Sequence, residues 1–311
     1  MSAPALSLVP QDRGLGSAYE RYCWYQRIDE WATRYEVTSA IEGPVDGMAG
    51  IAGVHCVGLA RRGIKVVSTV QTEEKAEIAR GVYANYGVGA ASAPAEVRVV
   101  ADPMRMADLA PADMVVAYHA LPFVDDWRAY LGVLAKLARK VLIVPICNPE
   151  NWGVDATRIL GKLRGVRGLE PPDVWHKETL GPALWELGRV REHVYFDCPW
   201  WPDVQVSAGQ SVTDRLKQLV GPLRSKPDVK ASGGDNAKLA ERFVYDASKW
   251  PYFGGPGWMD ELFPALIKHP CFDGSTMKML PRFAHLHAFV VDMRPRTPQA
   301  RRKLSQLEAT D

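Results

Sequence analysis

The chain has no long apolar run, no surplus of either charge and no cysteines at paired spacing. Each absence removes a class of answer. No uninterrupted apolar segment approaches the roughly 20 residues that cross a bilayer, so no membrane span is expected. The opening MSAPALSLVPQDRGLG has no basic stretch followed by a long apolar core, which makes a secretory leader unexpected and the cytoplasm the expected compartment. Lys and Arg number 38 against 36 Asp and Glu, a net charge of +2. No global field then draws the protein onto a polyanion, and nucleic acid is not an expected partner. The five cysteines, Cys23, Cys56, Cys147, Cys198 and Cys271, form no CxxC pair and no zinc-finger spacing. Neither a disulfide framework nor a structural metal is expected from them, and buried small hydrophobes are. Two nucleotide fingerprints are missing as well. No Gly-Lys-Ser/Thr follows the glycine-rich stretch near residue 47, and Gly47, Gly50 and Gly53 give GxxGxxG in place of the dinucleotide GxGxxG.

What is present is an ordinary globular composition. The 311 residues are 47% hydrophobic and 24% charged, which allows a substantial core without staples. Ten tryptophans are many for this length, and several stand beside proline in the C-terminal half, as in Cys198-Pro199-Trp200-Trp201-Pro202 and Trp250 to Trp258, WPYFGGPGW.

In chain order, residues 1–16 show no apolar period and read as a mobile lead-in. Ser17 to Glu36 reads as a helix capped by Ser17, with Tyr22, Tyr25, Ile28, Ala32 and Tyr35 along one face. Val37 to Ile41 is a strand running into Glu42 and the glycine turn Gly43 to Gly50. Ile51 to Arg62 reads as a helix, and Ile64 to Val70 as a second strand. Thr72 opens a helix to about Tyr86, with acids suited to its positive end. Val97 to Ala101 is a third strand ending at Asp102, and Met114 to Tyr118 a fourth ending at His119. Asp125 or Asp126 starts a helix with Trp127, Tyr130, Leu131, Leu134 and Leu137 on its core face, and Val141 to Ile146 is a fifth strand.

Continuous apolar strands separated by helices of ten to sixteen residues mean a parallel sheet covered on both faces. The fold class is therefore α/β, with residues 37–148 a doubly wound core. Ligands in such sheets bind beyond the carboxyl ends of the strands, which here carry Glu42, Gln71, Asp102, His119 and Cys147. Past residue 150, helices near Val154 to Leu163, Leu180 to Leu187 and Ser211 to Val220 are expected. Strands are expected at Val190 to Phe196 and Phe283 to Met293, with a flexible loop near residues 224–236 and a basic tail at the end.

The order helix, strand, acid, glycine turn, helix, strand, helix, strand, Asp, strand, helix, strand over about residues 19–148 resembles the class I S-adenosylmethionine-dependent methyltransferases. The resemblance implies a mostly parallel seven-stranded sheet, a late hairpin from Val190 to Phe196 and Phe283 to Met293, and S-adenosylmethionine as cofactor. Carried over by position, Glu42 matches the acid that opens the family's first motif, and Gly43, Gly47 and Gly50 form its turn around the methionine part. Asp102 resembles the acid that faces the adenine amine, with Met104 a lid on the ring. Tyr118 and His119 match the fourth-strand segment beside the cofactor, and Tyr19, Tyr22 and Tyr25 belong to a helix closing over the pocket. Pro44, Asp46 and Met48 stand where the family has glycines, and Val70 and Gln71 where it has an acid for the ribose. Ribose contact then passes to the Gln71 amide or Thr72.

The resulting division is a lead-in at 1–16, a cofactor-binding α/β core at 17–149, an aromatic-rich cap at 150–282, and a final strand with its tail at 283–311. The implied activity is methyl transfer to a small molecule, aromatic or apolar if the tryptophan-rich segments line its pocket, with a homodimer through the cap as a further expectation. The alternative is a protein that keeps the fold without the chemistry and serves as a binding or assembly partner. His119 is the candidate base, against the simpler role of packing beside the cofactor. His285 and His287 alternate on a strand, and without a third ligand they read as structural histidines. Asn148 and Pro149 read as a turn.

Overall fold

The computed structural model describes residues 15–44, 52–85, 95–163, 170–198 and 280–295. The glycines Gly47 and Gly50, the pair Trp200 and Trp201, the helix at 211–220, the 224–236 loop, the 250–258 segment and the basic tail lie outside them. So do the side chains of Tyr19 and Tyr22, although both residues belong to the first helix.

The elements run α1 (Leu15–Arg34), β1 (Ser39–Glu42), α2 (Val57–Arg61), β2 (Lys65–Val70), α3 (Glu73–Asn85), β3 (Ala95–Val99), β4 (Ala112–Val116), α4 (Trp127–Leu137), β5 (Ala138–Cys147), α5 (Trp152–Leu163), α6 (Lys177–Leu187), β6 (Arg189–Phe196) and β7 (Leu286–Asp292). The seven strands form one sheet in the order β3-β2-β1-β4-β5-β7-β6. Strands β1 to β5 pair in parallel, and β7 runs antiparallel to both β5 and β6.

Strand periodicity sorts the core into two layers. Ala40, Val66, Met114, Val116 and Ile143 point to the side covered by α1 and α2, whereas Ile41, Val115, Ala117, Leu142 and Val144 point to α4 and α6. Because both faces are covered, β4 and β7 are buried at every position, and they are apolar but for the buried Asp113, His287 and Asp292. The β3 edge is exposed and carries the Glu96–Arg98 ion pair, charged chemistry that discourages pairing with another chain.

Several local expectations shift. α1 begins at Leu15, so Ser17 lies inside the helix, and its buried stripe is led by Trp24 and Trp31, both fully inaccessible, together with Tyr25, Ile28, Ala32 and Tyr35. The helix expected from Ile51 shrinks to Val57–Arg61 because Gly53 takes a left-handed φ of 82°. A Cβ there would meet Ala79 Cβ and Tyr83 Cε2 at 3.2 Å, so the glycine also permits close contact with α3. β3 and β4 both begin and end two residues earlier than expected. Asp126 is the residue that caps α4, accepting a 2.9 Å bond from the Ala129 N–H, worth about 1 kcal/mol.

Candidate functional site

The strand order reverses between β1 and β4, with β2 and β3 to one side and β5 to the other. A crevice at such a switch point, outside the carboxyl ends of the strands, is where open α/β sheets hold ligands. Glu42 is the last residue of β1 and is wholly inaccessible. Its carboxylate accepts from Ser68 Oγ at 3.1 Å and meets His55 Nδ1 at 3.1 Å, and its backbone carbonyl accepts from Thr69 Oγ1 at 2.8 Å. A buried carboxylate must be hydrogen-bonded in this way, since leaving it bare costs several kcal/mol. The neighbouring groups register its presence. Burial first and Glu42 second push both the Cys56 thiol and the Tyr83 hydroxyl well above their ordinary values.

Gly43 follows. Its N–H donates to the Val116 carbonyl at 2.7 Å, and a Cβ would lie 3.1 Å from that same oxygen and 3.3 Å from the Tyr130 hydroxyl. The requirement for glycine at 43 is thus set by close approach to β4.

Tyr118 and His119 lie just past β4, where the backbone still bonds to β5 through Ala117 N–H to Ile143 O (2.9 Å) and His119 N–H to Pro145 O (3.0 Å). The Tyr118 ring stacks on His55 with centroids 3.9 Å apart and crosses Trp24 edge-on at 4.8 Å. Its hydroxyl donates to Glu20 Oε1 at 2.6 Å, and burial, then that carboxylate, push its pKa well up. Trp24 Nε1 donates to the His55 carbonyl at 2.9 Å, and the Tyr25 hydroxyl donates to the Val54 carbonyl. Ser68, Glu42, His55, Tyr118 and Glu20 therefore form one buried polar line linking β2, β1, β4 and α1. Ser68, His55 and Glu20 are the members that sequence reasoning missed, and His55 is the one that joins Glu42 to Tyr118. No spacing marks His55, because its partners Glu42 and Tyr118 stand at the ends of two different strands.

His119 has a left-handed φ of 50° and is buried, with Nδ1 3.6 Å from Cys147 Sγ. Burial, aided by His55 and His287, drives its pKa down to about 3, so the ring is neutral at physiological pH. Burial likewise pushes the Cys147 thiol far up and leaves it protonated. A base works best with a pKa near the operating pH, and this imidazole serves better as a hydrogen-bonding group.

Gln71 is half-buried just after β2. Asp102 is exposed, and its Oδ1 accepts from the Met104 N–H at 2.9 Å, capping the short 3-10 helix Pro103–Asp108. Met104 is itself 37% exposed. The sheet thus brings Glu42, Gly43, Tyr118 and His119 to the β1–β4 switch point, with Tyr25 behind them in α1, while Gln71 stands just past β2 and Asp102 and Met104 just past β3.

His285 and His287 go to different partners. His287 meets His193 at 2.8 Å and the Trp175 carbonyl at 2.9 Å, whereas His285 meets Asp197 at 3.0 Å. Asn148 and Asn151 bind the backbone carbonyl of Ala284 at 2.8 and 3.0 Å and pin the turn after β5 against the entry to β7. Among the described residues no group of three or more His, Cys, Asp or Glu could hold a metal ion, and no helix is long and apolar enough to cross a membrane.

The buried acid at the end of β1, the close-packed glycine after it and the aromatic face of β4 fit an S-adenosylmethionine crevice. The neutral Gln71 and the capping role of Asp102 fit it less well. No protein-family model and no curated protein matches the chain. Among solved structures it is similar to magnesium protoporphyrin IX methyltransferase from Synechocystis PCC 6803 with bound SAH, at 18% identity over 55% of this chain and 74% of that one, TM-score 0.42. A putative methyltransferase from Bacillus halodurans C-125 matches at 18% identity over 55% and 71%, TM-score 0.42. A SAM-dependent methyltransferase from Archaeoglobus fulgidus matches at 12% identity over 86% and 94%, TM-score 0.40. The strand order, with β7 alone running against its neighbours between β5 and β6, gives this chain the class I methyltransferase fold.

Proposed function

We propose that this protein transfers a methyl group from S-adenosylmethionine to a small-molecule acceptor. The observation that supports this reading is the switch point of the sheet between β1 and β4, with Glu42 and Gly43 at the end of β1 and Tyr118 and His119 just past β4. When bound, the cofactor would supply a sulfonium whose methyl carbon is the electrophile. The chain's contribution is to bind, align and exclude water, and alignment alone can supply much of the rate. Gly47 and Gly50 let the backbone approach the methionine part, with Gly43, packed on β4, and Glu42 fixing the strand end before them. Gln71 hydrogen-bonds the ribose, Asp102 and Met104 flank the adenine, and Tyr19, Tyr25 and Tyr118 form the wall toward α1. His119 offers a neutral imidazole to the acceptor. The tryptophan-rich segments favour an aromatic or apolar acceptor, and the near-zero net charge disfavours nucleic acid. A homodimer through residues 150–282 belongs to the same reading.

Calorimetric titration of the full chain with S-adenosylmethionine and with S-adenosylhomocysteine tests it. Saturable binding of both is expected, and absence of heat at millimolar ligand would sink the enzyme reading. A second reading, a fold retained for binding or assembly without chemistry, is favoured by one observation: Asp102 commits an oxygen to a helix cap where an adenine contact is needed.

A further inference from the structure

His55 bridges the point where the strand order reverses. Its Nδ1 meets the Glu42 carboxylate, at the end of β1, at 3.1 Å, and its ring lies on that of Tyr118, just past β4, with centroids 3.9 Å and planes 24° apart. The backbone beneath is clamped from α1. Trp24 Nε1 donates to the His55 carbonyl at 2.9 Å, and the Tyr25 hydroxyl donates to the carbonyl of Val54. The imidazole is therefore held in one orientation between β1, β4 and α1, the kind of preorganisation that a ligand contact rewards.

Two things are incomplete in this arrangement. A carboxylate accepts, so the ring proton in the Glu42 contact belongs on Nδ1, and Nε2 carries a lone pair turned away from Glu42. Nε2 has no hydrogen-bond partner among the described residues, although the side chain is only 3% exposed. A polar atom left over in so buried a group needs a partner from outside the chain. The second shortfall is charge. Glu42 is wholly inaccessible, and among the described residues its carboxylate meets Ser68 and His55 but no lysine or arginine. Buried charges are ordinarily paired with the opposite sign. An acceptor nitrogen backed by such a carboxylate favours a cationic donor over a neutral one.

We infer that His55 Nε2 accepts a hydrogen bond from a ligand ammonium, and that Glu42, acting through the ring, supplies the negative charge which that cation requires. The inference rests on the methyl-transfer reading, in which the ammonium is the one on the methionine part of S-adenosylmethionine. A sulfonium has no N–H to offer Nε2. No bond is made or broken at His55. Its part is to hold the amino-acid end of the cofactor at the switch point, with Tyr118 fixing the plane of the ring.

His55→Asn tests it, because an asparagine amide reaches the place of Nδ1 and keeps a donor for Glu42 while the Nε2 position is lost. Calorimetric titrations of the full chain compare S-adenosylmethionine and S-adenosylhomocysteine, which both carry the ammonium, with the deamino analogue of S-adenosylhomocysteine, which lacks only that group. The variant should bind the first two about tenfold or more weakly than wild type and the deamino analogue within about twofold. Glu42→Gln, which removes the charge and keeps the ring, should give the same split, and thermal melts check that both variants fold. In wild type, nitrogen-15 spectra assigned through the backbone should show an Nδ1–H tautomer for His55, with Nε2 shifted by S-adenosylhomocysteine and not by the deamino analogue. That spectrum decides the matter should either variant fail to fold. A loss confined to S-adenosylmethionine moves the contact to the sulfonium and overturns the inference. Equal losses for all three ligands, no loss for any, or an Nε2–H tautomer also overturn it, and the methyl-transfer reading then stands alone. If wild type binds none of the three, both fall.

Discussion

Replacing Glu42 by glutamine keeps the shape of a fully buried side chain and removes its charge. The native carboxylate takes one bond on each oxygen, from Ser68 and from His55, both at 3.1 Å. Glutamine retains one acceptor oxygen and turns an amide N–H toward the other donor. One charge-assisted bond is then lost, worth about 1.5–3 kcal/mol, and a buried donor is left facing a donor. The expected destabilisation is roughly 2–4 kcal/mol, which for a domain of this size lowers Tm by roughly 5–10 °C. Calorimetric or circular-dichroism melts at neutral pH measure it. A double-mutant cycle with Ser68→Ala sharpens the result, since residues sharing a hydrogen bond should couple by about 0.5 kcal/mol or more. A Tm within a degree of wild type, or strict additivity in the cycle, would refute the view that the line from Ser68 to Glu20 is a connected network.

Two further outcomes follow from the same geometry. His119 and His287 are held neutral by burial, with pKa values near 3 and 4 against an ordinary value near 6.5. The unfolded chain therefore binds protons that the folded one refuses, and stability should be full above about pH 6.5 and fall steadily as pH drops toward 4. His119→Asn, which suits the left-handed backbone, should flatten that fall in a urea-denaturation series, and an unchanged slope would count against it. Asp102→Ala should cost about 1 kcal/mol through the lost cap. If Asp102 also holds the adenine, affinity for S-adenosylhomocysteine drops about tenfold or more, whereas unchanged affinity confines the residue to capping.

The α/β class, the succession of elements through β5 and the α4 stripe were legible because they follow from period and cap chemistry within a few residues. The extent of α2 was not. Its apolar spacing suits a longer helix, and only the packing of Gly53 against Ala79 and Tyr83 forces the left-handed turn that shortens it. Trp24 and Trp31 escaped the expected α1 stripe although both are wholly buried. At the site, Glu42, Tyr118 and His119 were legible from their positions at strand ends. His55 and the Asp197–His285 contact were not, because the latter joins residues 88 apart and depends on β7 entering between β5 and β6.

That placement of β7 also bears on how the chain assembles. β6 ends at Phe196 and its strand neighbour among the described residues begins at Leu286, about 90 residues later. Closing a loop of that length carries an entropic cost of about 4 kcal/mol before any strand contact offsets it. During synthesis the parallel strands β1 to β5 emerge first and can pair, while β6 must await β7, a segment made about 90 residues later. Until β7 arrives, β5 presents an unpaired flank along its apolar stretch Val141–Cys147, the kind of edge that recruits other chains. β7 thus acts as a keystone, and a nascent or truncated chain lacking it is the species a cell would most need to shield.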